Sequence, residues 1–481
     1  MSDQENRYHQ IITDVNQKYS GISHREIKNG CWEITVLFIK QLTDIVMLSN
    51  YIIRPIIENE AAFGSFNADG IASRIISSQV RISKVDENTI VESILNGMTV
   101  ILLSWDDNYL STNIKEVEKK SIDSPELAYT IRGPKDCFIE NLDVNLSLIR
   151  YRIKDPELKV NILKVGKRTQ TQVAVVYIND IANEKIVNDI LQRINAINID
   201  GIIESGELQS MIQNPNSFFP QMGLVERSDM ACGGLLEGKI VIITEGSGIA
   251  LIAPKTFAGF LWSSDDSYDN RYLGILMKIL RIFSLLISFT LGSLYIALTS
   301  FHTDILPADY ILTLAKLRAN VPFNAFTSIF LLEIVVEILR EALLRVPKQI
   351  GSGIGIVGAI IIGQAAISSN VFDPLSLIAV SLSFLASFTL PDYTLMNPFR
   401  LLKFILMIST ASLGLFGFTI CFLVICSSIL STESFGVSYA SPFAPLNRNE
   451  SFKSIFYSKN SSSNRPAFLK TKDKDRGNGR I

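Results

Sequence analysis

IFSLLISFTLGSLYIALTSF, residues 282–301, runs for twenty residues without a charge, between Arg281 and His302. A helix rises 1.5 Å per residue, so this stretch reaches about 30 Å, the thickness of a bilayer's hydrocarbon core. Three more stretches follow the same rule: 349–372, 374–391 and 404–430 are all free of charge. Between the first and second, 323–346 is equally apolar but carries Glu333, Glu337, Arg340, Glu341 and Arg345. The three glutamates are spaced i, i+4, i+8 and share one helical face, and Arg340 lies three residues after Glu337, within pairing distance on a helix. Charges at membrane depth cost about 2.5–3.5 kcal/mol each on insertion scales. The segment therefore reads either as an ion path or gate, or as an amphipathic helix or structural salt-bridge seam.

Outward from these stretches the charge distribution divides the chain. Residues 1–281 hold 65 of the 92 charged residues, 282–432 hold 14, and 433–481 hold 13. This excludes a wholly soluble globular protein, a wholly membranous one and a disordered one. The domains expected are 1–130 and 131–270, both α/β, then a membrane domain at 271–446 and a basic, flexible tail at 447–481. Net charge is −2, and the first 281 residues show no basic stripe, so no nucleic-acid partner is indicated. The first residues, MSDQENRYHQ, have no apolar signal region, which places the N-terminal half in the cytoplasm. Charge in the loops leaves the side of the tail open; the reading preferred is a tail inside and a re-entrant or interfacial 323–346.

The segment GSGIGIVGAIIIGQAA, 351–366, has five glycines, and small residues let helices approach closely. It reads as plain helix packing or as a pore helix with a narrow face. The five cysteines are scattered and the histidines number three, so no disulfide framework and no metal site is expected. No Walker loop, GxSxG, HExxH or zinc spacing occurs, and no catalytic residue or cofactor is expected. Glu204 and Glu207 read as an acidic helix start.

In the N-terminal half two strand–helix units superpose at an offset of 139: ITVLFI (34–39) with a helix through about Glu58, and VAVVYI (173–178) with a helix through about Ile197. LNGMTVILL (95–103) matches LEGKIVIIT (236–244) at 141. Each match has a glycine, Gly97 or Gly238, where a helix ends. Two α/β subdomains related to each other are expected. Between the matched units, a helix is expected from about Lys135 to Lys154, with Arg150 and Arg152 at its basic end and Lys167 and Arg168 close by. Together with Arg132, these residues read as an inter-subunit or subdomain contact, or as a solvated helix end.

The chain also resembles a known family. Arg132-Gly133-Pro134 with Phe138, Glu140 and Asn141, then GKRTQTQVAVVYINDIAN (166–183), IDGIIESGEL (199–208), LLEGKIVIITEGSGIALIAP (235–254), ALTSFHTDILP (297–307), EILREALLRVP (337–347), IVGAIIIGQAA (356–366), ASFTLPDY (386–393), RLLKF (400–404) and SFGVSYASPFAPL (434–446) are similar to the GerA family of spore germinant receptor A subunits. The departures are Trp105-Asp106-Asp107-Asn108, Cys137 and Ser438. The resemblance implies a non-enzymatic, multi-pass protein of the spore inner membrane, acting with a transporter-like B subunit and a lipoprotein C subunit. It implies a homo-oligomeric, nutrient-gated channel that releases cations. On this reading Val357, Ile361 and Gln364 lie near the conduction path, with Glu333, Glu337 and Arg340 along or beside it. The alternatives are a relative of the stage V sporulation protein AF, which amplifies germination, a membrane-anchored scaffold, or a transporter subunit.

Overall fold

The computed structural model describes residues 3–19, 21–29, 32–59, 67–76, 78–115, 133–268, 270–346, 364, 368–456 and 464–476. The described chain falls into two compact units: 1–215 with 224–254 and 463–478, and 216–223 with 255–462 and 479–481.

The first unit contains two five-stranded sheets. One is built from β1 (Ser23–Asn29), β2 (Trp32–Phe38), β3 (Val80–Lys84), β4 (Thr99–Leu103) and β5 (Asn108–Thr112), in the order β1-β2-β4-β5-β3. The other uses β6 (Leu158–Val165), β7 (Thr171–Ile178), β8 (Gly223–Val225), β9 (Ile240–Thr244) and β10 (Ala250–Ala253), in the order β6-β7-β9-β10-β8. Adding five to each label of the first order gives the second.

The correspondence extends to single residue pairs. Ile34 faces Leu103 and Leu37 faces Val100 in β2–β4; Val173 faces Thr244 and Val176 faces Val241 in β7–β9. The offsets are 139 on one strand and 141 on the other, as the sequence matches require. Ile101 opposite Leu110 likewise maps onto Ile242 opposite Leu251. The glycine turns repeat as well. Gly97 and Gly238 have φ of +80° and +91°. Each glycine N–H donates to the carbonyl three residues back, and the next N–H to the carbonyl five back from itself, closing the same helix end twice.

Helices cover both faces of the first sheet, because residues alternate across a strand. Ile34, Val36 and Phe38 pack with α2 (Ile45–Leu48), a five-residue π turn, α3 (Arg54–Glu58) and α4 (Ala68–Arg74). Leu37 and Ile39 pack with α1 (Asp3–Lys18) and α5 (Glu87–Leu95). In the second sheet Ala174, Val176, Val241 and Ile243 pack beneath α6 (Leu142–Arg152) and α9 (Ser228–Glu237). Two more helices complete that half, α7 (Glu184–Asn195) and α8 (Ser205–Ile212). Glu204 caps α8 and Glu207 lies in its first turn, as the acidic helix start required.

Helix α6 begins later than expected. Phe138 N–H donates to Glu226 O, Cys137 bridges Arg227, and Asn145 holds both backbone groups of Ile139. These bonds keep 137–139 extended until Asn141 caps the helix by accepting from Val144 N–H.

The second unit is helical: α10 (Phe257–Leu261), α11 (Arg271–Ser300), α12 (Ala308–Arg318), α13 (Ala325–Arg345), α14 (Pro374–Ser387), α15 (Met396–Ser431) and α16 (Arg448–Phe456). Among the described residues two helical stretches are long and apolar enough to cross a membrane, Arg271–Ser300 and Tyr393–Ser431. The full set of spans expected from sequence is thus reduced to two candidates here; most of 349–372 lies outside the described residues, and α14 is a shorter apolar helix.

The second candidate is not one straight rod. Gly414 has φ +61° and ψ −141°, outside the helical region. A straight helix would separate Phe399 from Phe422 by about 35 Å. Yet Phe289 of α11 lies 5.1 Å from the Phe399 ring and 6.1 Å from the Phe422 ring, and Ser409 Oγ donates to Gly417 O at 2.9 Å. The chain therefore folds back at Gly414, where a side chain would meet Phe301 at 3.0 Å. The span expected at 404–430 is a helical hairpin.

Candidate functional site

Arg340, Glu333 and Glu337 all lie on α13, a helix whose first turn is fixed by Asn324 accepting from Thr327 N–H. Glu333 is 1% exposed and Arg340 5%. Across from them α15 runs antiparallel and brings two cations. Lys403 Nζ lies 2.5 Å from Glu333 Oε2 and 4.0 Å from Glu337 Oε1, and Arg400 donates to Glu337 Oε2 through both Nε and Nη2. Arg340 does not pair with Glu337. Its Nη2 donates to Ser387 Oγ of α14 at 2.9 Å, and its guanidinium carbon lies 5.3 Å and 5.5 Å from the Phe384 and Phe388 ring centres. The two glutamates instead bind the cations of α15 through their Oε2 atoms.

Close approach of the helices makes this possible. Gly292 of α11 passes Ile329 so closely that an added Cβ would be 3.2 Å from its methyl and 3.8 Å from Glu333 Oε1. Ser383 of α14 donates to Ser288 O of α11 at 2.6 Å. A small polar cavity is lined by Arg340, Arg400 and Lys403 together with Ser288, Ser383 and Ser387. Glu333 Oε1 and Arg340 Nε have no hydrogen-bond partner among the described residues. Three cations thus border this gap, and two of them, Arg400 and Lys403, hold the Glu337 and Glu333 carboxylates.

Sequence reasoning placed Glu333, Glu337 and Arg340 on the right helix but missed Arg400 and Lys403. Their signal was present: two basic residues three apart at the start of an apolar run. Val357 and Ile361 lie outside the described residues, and Gln364 is exposed with undescribed residues on either side.

The basic residues of the N-terminal half are dispersed. Arg132 lies outside the described residues. Arg150 is 6% exposed, with its guanidinium against Gly21 of the first subdomain. Arg152 donates to Ser228 Oγ at 2.8 Å and to both oxygens of Asp136 at 2.6 and 2.7 Å. Lys167 and Arg168 are at the hairpin between β6 and β7, where their backbone N–H groups donate to Ile199 and Asp200 carbonyls. The eight residues of β6, about 25 Å of strand, separate that hairpin from the end of α6. Among the described residues no group of three or more metal-ligating side chains converges.

Two sheets of one topology, joined in sequence to helices of membrane length with a buried charge seam, define a membrane-associated protein. Residues 10–468 match the Bacillus/Clostridium GerA spore germination protein family, and the chain belongs to it. It is 36% identical to spore germination protein B1 of Bacillus subtilis over 85% of this chain and 84% of that protein. It is 35% identical to spore germination protein A1 of Bacillus subtilis, over 84% and 83%, and 34% identical to GerQA of Bacillus cereus, over 94% and 90%. A crystal structure of the N-terminal domain of the A subunit of the Bacillus megaterium spore germinant receptor GerK3 is 26% identical, with a TM-score of 0.39, covering 52% of this chain and 93% of that one.

Proposed function

We propose that the chain is the A subunit of a nutrient receptor in the spore inner membrane and forms an oligomeric ion path that opens when nutrient binds. The two-sheet half is cytoplasmic, the helical half is a multi-pass membrane bundle, and the partners are a transporter-like B subunit and a lipoprotein C subunit. Released cations trigger germination. Val357, Ile361 and Gln364 line the path, and the seam of Glu333, Glu337, Arg340, Arg400 and Lys403 borders it.

One observation carries this reading: the Glu333–Lys403 pair is buried between apolar helices. Replacing a buried ion pair by well-packed apolar residues is commonly neutral or stabilising, so stability alone does not account for such a pair. Ionisable groups that persist inside membrane helices mark ion or proton routes. The test is ion flux through the receptor complex reconstituted in liposomes. Val357→Ala and Ile361→Ala are expected to change flux or its dependence on nutrient by several-fold. Unchanged flux and gating in both variants removes the path from the segment 349–372.

A further inference from the structure

We infer that residues 464–476 are a clip that completes the second sheet subdomain, and that both ends of the helical region therefore lie on one side of the membrane. The inference rests on the membrane reading and is independent of any ion path.

The duplication makes the clip legible. In the first subdomain the chain continues past β5, and residues 114–115 cover the entrance of the helical stretch beginning at Ile45. Asp44 N–H donates to Ile114 O at 3.0 Å, Thr43 bridges Lys115, and the Lys115 stem lies over Gly97. The equivalent continuation past β10 is Lys255 and Thr256, and it is committed elsewhere. Lys255 N–H donates to Gln221 O at 3.1 Å, and its ammonium pairs with Asp392. The second subdomain is left without its covering segment.

The tail supplies it. Lys472 N–H donates to Ile181 O at 3.0 Å and Asp473 N–H to Asp180 O at 3.2 Å. Asn183 Nδ2 donates to Leu469 O at 3.1 Å, and Lys472 Nζ lies 2.6 Å from Glu184 Oε1. Thr471 takes the place over Gly238 that Lys115 takes over Gly97. At offsets of 139 and 141, Asp44 corresponds to Asn183 and Gly97 to Gly238, so the two segments cover the same place in the repeat. Leu469 is 1% exposed, and Arg465 ties the segment down by donating to Leu236 O at 3.0 Å.

A segment packed in this way shares a compartment with the domain it completes. The chain between Pro254 and Ser463 then crosses the bilayer an even number of times. The reversal at Gly414 fits this parity, since a helical hairpin adds two crossings or none.

Disulfide trapping in membranes containing the full-length protein tests the clip. Asp180 and Asp473 are exposed and joined through the backbone, so Asp180→Cys with Asp473→Cys is expected to oxidise mostly to an intramolecular crosslink with shifted gel mobility. Lys164→Cys with Asp473→Cys, at the far end of the β6–β7 ladder, is expected to give at least tenfold less. Equal yields from the two pairs, no crosslink from the first, or crosslinks only between chains would overturn the clip. Single Lys164→Cys and Asp473→Cys variants in sealed vesicles test the parity without trapping. An impermeant maleimide is expected to label both from the same face, and labelling from opposite faces contradicts the inference.

Discussion

At the scale of residues, the subdomain relation was written in two glycines. Gly97 and Gly238 both need a positive φ, which costs other residues about 1–2 kcal/mol, so their spacing in sequence reported a real geometric equivalence. Arg152 was less transparent. Its position at the end of α6 suggested an exposed contact, whereas its guanidinium holds Asp136 and Ser228, 16 and 76 residues away. Such a tie depends on tertiary placement and has no local pattern. It has a measurable consequence. Burial pushes the Asp136 carboxyl up, but hydrogen bonds from Arg152 and Ser228 outweigh it and leave the group below its ordinary value. A depressed carboxyl stabilises the fold above the unfolded-state value, about 3.9, and that contribution disappears as pH falls through the folded value. Asp136→Asn is expected to lose about 2 kcal/mol near neutral pH. In thermal unfolding the gap to the parent should hold steady above about pH 5 and close below about pH 4. A gap independent of pH would mean that the charge of Asp136 is not what holds Arg152.

At the scale of elements, periodicity identified α11 and α13 but not the break in α15. An apolar run reads the same whether it is straight or folded back, and Gly414 is one of two glycines in its stretch, with Gly417. The pairing of α13 with α15 was equally hidden, because Arg400 and Lys403 count in sequence only as flanking charges. Their role predicts a distinctive mutational pattern. Lys403→Met alone strands a buried Glu333 carboxylate and is expected to cost about 3–5 kcal/mol. Adding Glu333→Leu removes the stranded charge and should recover most of that loss. Thermal unfolding of the full-length protein in detergent reads both. A double variant no more stable than Lys403→Met would show that the two side chains are not energetically coupled.

At the scale of the whole molecule, composition separates a charged part from an apolar part near residue 281, some way into the second compact unit, which takes up the chain from Lys255. It could not show that the basic end of the chain returns to the first half. That return depends on the missing cover of one repeat, which becomes visible only when the two sheets are compared strand by strand. The same comparison separates the two roles of the molecule: a duplicated domain whose second copy is completed by the tail, and a helical region holding a buried charge seam.

Whether that seam belongs to an ion path is the central claim, and a charge exchange tests it most directly. Glu337→Arg with Arg400→Glu keeps an ion pair between α13 and α15 but moves the negative group to the other helix. In the reconstituted receptor, nutrient-dependent cation flux is expected to fall at least tenfold in the exchanged protein while its assembly and thermal stability stay close to the parent. Parent-like flux and gating in a correctly assembled exchanged protein would contradict the account and leave the seam a structural joint alone.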